Sequence, residues 1–253
     1  MSTAILARLA FLEARRSGLV WLAAAAIIGA VALGAFLAQV AITEGRLLQA
    51  AVVAALLRLS AVFLIAAQVI ASVRREIDDR RLELTLALPI TRSSQYLGRL
   101  AGFALCGFVL ACLFAAPLLL WASPTTVAAW AVSLAFELVL VAAAALFFAM
   151  SLASPVSALF AIAGLYLLGR AMTAMQAIAG GPLAEDSLVQ HLARYAIDGL
   201  ALVLPALDRV TRTEWLLYGL PDLPTYAAAL ATLALYAALL AAAGVFDFHR
   251  RGA

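Results

Sequence analysis

From Gly18 to Ile42 the chain runs 25 residues without one charged side chain, and comparably apolar stretches recur five more times before the C-terminus. An α-helix needs about 20 such residues to cross a bilayer, because only a helix or a closed barrel satisfies its backbone polar groups in hydrocarbon. The stretches are 18–42, 49–73, 95–121, 127–150, 155–175 and 225–246. The expected fold class is therefore an all-α polytopic membrane protein with six transmembrane helices. The 66% apolar content and mean hydropathy of +1.07 exclude an ordinary soluble domain, whose apolar share is about 45–50%. Residues 1–17 place Ile5, Leu6, Leu9 and Leu12 on one side and Arg8 and Arg15 off it, the pattern of an interfacial helix. The run that follows is too long for the core of a secretory signal and reads as a retained span.

Orientation follows from the arginines, which supply all 17 basic residues. Six spans put both termini on one side. That side also collects the second and fourth links and eleven arginines: Arg8, Arg15, Arg16, Arg74, Arg75, Arg80, Arg81, Arg92, Arg99, Arg250 and Arg251. Only Arg46, Arg194, Arg209 and Arg212 lie opposite. The bias places both termini and the second link in the cytoplasm. The basic charge is a feature of membrane topology and carries no nucleic-acid implication.

Chemistry-bearing motifs are few. With no lysine, the chain cannot supply the GxxxxGK[ST] residue that reaches nucleotide phosphates. Cys106 and Cys112 are six apart within one span, and His191 and His249 form no ligand cluster. No catalytic residues and no metal site are expected, and the chain is not expected to be an enzyme. Met172 and Met175 read as packing. Within the spans, Arg58 and Glu137 are the deep charges, and each needs a partner there. A mutual ion pair, as a static brace or as a polar element of a pathway, is the expectation. Arg170 is shallower and is expected to snorkel outward.

The densest charge is at Arg74–Glu83, where eight of ten residues are ionised. Val73, Ile77, Leu84 and Leu88 recur at helical spacing, so the cytoplasmic loop 74–94 is expected to prolong the second span as an amphipathic helix. Glu76–Arg80 and Asp78–Arg81 are spaced to pair along it. Pro89 ends it, and Ser93 or Ser94 is expected to cap the third span. One reading is a solvated helix that fixes topology; the other is a docking surface. Residues 176–224 form a long extracytoplasmic link. Leu188, Leu192, Tyr195 and Leu202 keep helical spacing up to Pro205, and DRVTRTEWLLYG gives a second short helix.

The loop sequence resembles that of ABC-2 type transporter permeases. The residues that carry the likeness are Glu76 and Glu83, Leu84-Thr85, Leu88-Pro89-Ile90-Thr91-Arg92 and Tyr96-Leu97-Gly98-Arg99. The chain departs from the family pattern at Asp79–Arg81, where Gly-Thr is common, and at Arg99, where Lys is common. The resemblance implies a single permease domain over residues 1–253, with an N-terminal interfacial helix, a cytoplasmic coupling helix between spans two and three, and short outer helices between spans five and six. It implies a second permease copy, giving a homodimer in the bilayer, and a separate ABC ATPase subunit that carries ATP and Mg. It implies an inner bacterial membrane location, and leaves 176–224 as a candidate contact for a periplasmic partner. The coupling residues it implies are Glu76, Ile77, Arg80, Glu83, Leu84, Leu88, Pro89 and Arg92. The segment LDRVTRTEWLLYG is similar to the group serving nitrous-oxide-reductase and other multicopper-enzyme maturation. From the residues alone, an ion-coupled secondary transporter and a non-transporting membrane anchor or assembly factor stay open.

Overall fold

A computed structural model describes residues 18–40, 45–79, 91–179 and 188–250, without the side chains at 40, 188–191, 193, 202 and 203. Among the described residues eight α-helices follow one another and there is no strand. They are α1 (Leu19–Val40), α2 (Gly45–Asp78), α3 (Arg92–Ala115), α4 (Pro124–Ser151), α5 (Pro155–Ala179), α6 (Leu188–Val203), α7 (Glu214–Tyr218) and α8 (Leu223–Arg250). Short 3-10 turns at Ala116–Leu120 and Leu207–Arg209 complete the order. Six of the helices, α1 to α5 and α8, are long and apolar enough to cross a membrane. The protein is an all-α polytopic membrane protein.

Helix α4 is the axis of the bundle. It is apolar nearly all round, which demands burial on every side, and Trp130, Leu134, Leu138 and Ala142–Ala145 are fully enclosed. Helices α2, α3, α5 and α8 pack around it. Pro124 begins α4 at a position where a missing N–H costs nothing, and the Ser123 hydroxyl accepts from the Thr126 N–H at 3.4 Å. By contrast α1 leans mainly on α2. Its outer side chains Trp21, Ile28 and Phe36 are exposed, as suits a lipid-facing helix. Gly34 lets α1 approach closely, since a Cβ there would meet Val53 at 2.8 Å.

Short connections force antiparallel neighbours, so the bundle has two ends. At one, here the loop end, meet the C-terminus of α2, the start of α3, the α4–α5 link and the C-terminus of α8. At the other, the far end, the Trp121 indole N–H donates to Gln49 Oε1 at 2.7 Å, joining α2 to the α3–α4 link. There also Tyr226 donates to the Ala129 carbonyl at 2.7 Å and stacks edge-on with Trp215 at 5.5 Å.

Helix ends depart modestly from the sequence-derived bounds, chiefly at α2. Its 34 residues reach roughly 51 Å at 1.5 Å each, against a hydrocarbon core of about 30 Å. The helix therefore projects beyond the core and carries Arg74–Asp78 with it. Residues 1–17, expected to form an interfacial helix, and residues 80–90 of the loop lie outside the described residues. Between α5 and α8 the two expected short helices are α6 and α7. Helix α6 exposes Leu192 and Tyr195 on its apolar side.

Candidate functional site

Two groups of polar side chains stand out in this apolar frame. The first gathers at the loop end. As α2 leaves the bundle, the Arg74 guanidinium donates to the Leu152 carbonyl at the C-terminus of α4. Two residues further along the same helix, and so on its other side, Glu76 turns toward α3 and meets Arg99, with Oε2 2.7 Å from Nη2. Arg99 is nearly buried, at 8% exposure, and Glu76 is 27% exposed. Glu76, expected to face a partner, is thus engaged inside the chain. Ile77 is exposed at 37%, on the outer side of the projecting helix end.

Helix α3 starts at Arg92, earlier than its sequence suggested. The capping hydroxyl is consequently Thr91, which accepts from the Ser94 N–H at 3.4 Å; Ser93 and Ser94, expected as caps, lie within the first turn. Arg92 donates to the His249 carbonyl at 3.3 Å. Tyr96 enters the core against α8, its ring 6.3 Å from that of Phe248. Gly244 makes this possible, because a Cβ there would overlap the Tyr96 hydroxyl and ring. Ser151 donates to Asp247 Oδ2 at 2.9 Å, tying α4 to α8. Both flanks of the loop are therefore fastened to α4 and α8. Arg80, Glu83, Leu84, Leu88 and Pro89 lie outside the described residues.

The second group lies within the bundle. Arg58 is 13 residues from the start of α2 and Glu137 is 13 from the start of α4, each roughly 20 Å along its helix. Arg170 is nine residues from the end of α5, roughly 14 Å. Helices α2, α4 and α5 bring these three charges and Tyr166 into one cluster, close enough for mutual electrostatic influence.

The expected Arg58–Glu137 ion pair is not closed. Arg58 Nη1 instead donates to the Thr211 carbonyl at 2.8 Å. Both carboxylate oxygens of Glu137 are buried without a hydrogen bond, and the residue is fully enclosed. The Tyr166 side chain sits beside both Arg58 and Glu137, at the margin of hydrogen-bonding reach. Arg170 does not snorkel outward. Its guanidinium donates to the carbonyls of Leu207, Val210 at 2.8 Å and Thr211 at 3.4 Å. The reason is the chain between α6 and α7, which dips into the bundle instead of staying at its rim. Leu207, Val210 and Thr211 are buried, and a Cβ on Gly169 would stand 2.9 Å from the Pro205 carbonyl.

Irregular backbone at such depth leaves carbonyls that must find donors, and two arginines supply them. Sequence reasoning marked Arg58 and Glu137 but not Tyr166 or Thr211. An isolated Tyr in LYLLGR looks like any core or interfacial aromatic, and nothing local announces a carbonyl as a ligand. Met172 is buried packing, and Cys106 and Cys112 are free thiols. Among the described residues no group of three or more His, Cys, Asp or Glu could hold a metal ion.

Fold and geometry define a membrane protein with six helices long and apolar enough to span, braced loop flanks at one end and a buried charge cluster nearer the other. Comparison with protein-family models and with curated proteins gave no match.

Proposed function

We propose that this chain is the permease subunit of an ABC-2 type exporter, forming a translocation route with a second copy of itself and driven by a separate ATPase docked on the 74–94 loop. The observation that carries the reading is the lever-like end of α2. It projects past the membrane core as continuous helix to Asp78, and both loop flanks are fastened to α4 and α8. A push on such a loop moves helices, whereas a loop on flexible tethers would absorb it. The loop motif resemblance, the eleven-to-four arginine bias and the absent phosphate-binding lysine support the same division of labour. In this reading the termini and loop face the cytoplasm of a bacterial inner membrane, ATP and Mg reside on the partner, and residues 176–224 face outward toward any periplasmic partner.

The exposed Ile77, together with Leu84 and Leu88, forms the docking knob, and Glu83 is the charge offered to the ATPase. Glu76 acts one step back, setting the angle of the helix through Arg99. Reversing Glu76 and Glu83 together to Arg is expected to abolish both ATPase co-purification and its stimulation by the permease. Unchanged co-purification and stimulation refute the assignment. The buried Glu137 favours one competing reading, an ion-coupled secondary transporter. Transport that persists without any ATPase would establish that alternative.

A further inference from the structure

The interior cluster has one feature that a static brace does not explain. Arg58 and Glu137 lie within electrostatic reach, yet the guanidinium is spent on a main-chain carbonyl while the carboxylate beside it is buried with no ion pair closed and only the Tyr166 side chain at its edge. Breaking up or failing to close a buried ion pair is costly, because a lone charge keeps its desolvation penalty. Arg58 Nε is also buried without a partner. The segment holding Arg58 is itself strained. Thr211 adopts φ +51°, a left-handed conformation that is a genuine outlier for a β-branched residue. Its hydroxyl is buried without a partner. Its carbonyl is the atom that both Arg58 and Arg170 grip.

We infer that residues 205–211 are a latch, and that Arg58 releases it by exchanging the Thr211 carbonyl for the Glu137 carboxylate. In the latched arrangement the arginines satisfy carbonyls of the re-entrant segment, at the expense of a Glu137 without its ionic partner and a strained Thr211. In the released arrangement Arg58 and Glu137 pair, Thr211 relaxes, and the segment's carbonyls turn to water at the far end. Each arrangement satisfies what the other leaves unpaired, which keeps the two close in free energy. Tyr166, beside both Arg58 and Glu137, is placed to follow the guanidinium between them. The exchange stands on these contacts alone; that it opens a route for cargo between α2 and α5 rests on the transport reading above.

The latch can be read by chemical accessibility. Val210, 2% exposed, is replaced by Cys in a background carrying Cys106→Ala and Cys112→Ala. The full-length protein is placed in nanodiscs, both faces are open to a membrane-impermeant maleimide, and the labelling rate is measured. The Val210→Cys parent should label slowly, and adding Arg170→Gln, which removes only contacts of the latched arrangement, should accelerate it tenfold or more. Adding Glu137→Gln should slow it several-fold, because the released state loses its ion pair.

A static brace makes the opposite forecast for Glu137→Gln, namely faster labelling as the cluster loosens. Faster or unchanged labelling in Glu137→Gln overturns the exchange, and so does rapid labelling of the parent or an unaltered rate in Arg170→Gln. Should the Gln variants not fold, Arg170→Lys and Glu137→Asp weaken the same contacts with charge retained. The same acceleration and slowing are then expected, and their absence is equally decisive. No ATPase or cargo enters the assay, so its failure leaves the co-purification test of the permease reading untouched.

Discussion

Removing either partner of Glu76–Arg99 is expected to destabilise the fold, and removing both is expected to cost less than the sum. The contact is 2.7 Å between charged atoms, and two unit charges about 4 Å apart attract by ~4 kcal/mol at an effective dielectric near 20. Two features reduce that figure. Glu76 is 27% exposed, which admits screening by water. Its Oε2 also forms no aligned hydrogen bond to the guanidinium despite the short distance. Arg99, at 8% exposure, works the other way, since losing Glu76 strips a nearly buried cation of a close counter-charge. Breaking a fully buried pair costs about 3–5 kcal/mol, so Glu76→Ala should cost ~2 kcal/mol and Arg99→Ala somewhat more, through its lost packing as well. The coupling in the double-mutant cycle should be about 1–2 kcal/mol. Equilibrium unfolding in mixed detergent micelles, followed by the fluorescence of the four tryptophans, measures all four corners. A coupling below about 0.5 kcal/mol, within ordinary non-additivity, shows that Glu76 is free of Arg99 in solution. The brace at the base of the loop then disappears with it.

Two further outcomes are expected from close contacts elsewhere. Gly244→Ala pushes a methyl into the Tyr96 hydroxyl and ring, an overpacking worth about 1–3 kcal/mol. Tyr96→Phe, by removing the hydroxyl, should recover part of that loss in the unfolding midpoint; equal losses in both backgrounds rule out the contact. Gln49→Leu removes the acceptor of the Trp121 indole N–H, leaving a part-buried donor unpaired at about 1–2 kcal/mol. Trp121→Phe should therefore cost less in the Gln49→Leu background than in the parent protein, as read by the same titration.

Much of the architecture was legible because crossing a membrane is a local requirement. Twenty apolar residues in a row are needed wherever the helix finally packs, so α1 to α5 and α8 could be found one at a time. The break before Pro205 and the short helix at Glu214–Tyr218 were legible for the same reason, through helical spacing and proline. Partners were another matter. Arg58 bonds to a carbonyl 153 residues away, and every residue has a carbonyl, so no side-chain pattern could single out Thr211. Arg170 looked like an outward anchor because its depth was counted along α5 alone. The re-entrant chain gave it closer acceptors. The cap of α3 moved to Thr91 because the helix extends further toward the loop than its apolar content requires.

The charge that is densest in the sequence, Arg74–Glu83, shows the division between the two levels most clearly. Composition alone set it apart from the spans, and its spacing predicted a continuation of α2, which the described residues follow to Asp78. Whether a given charge there faces out or in depended on how α2, α3, α4 and α8 meet, and that is why Glu76 lies against Arg99 while Ile77 is exposed. The sequence by itself determined how many helices cross and where charge accumulates, since hydrophobic length and charge density are properties of short segments. Only the tertiary structure decided which charges are paired, strained or left alone, since a pairing is a matter of angstroms between helices whose relative placement no short segment contains.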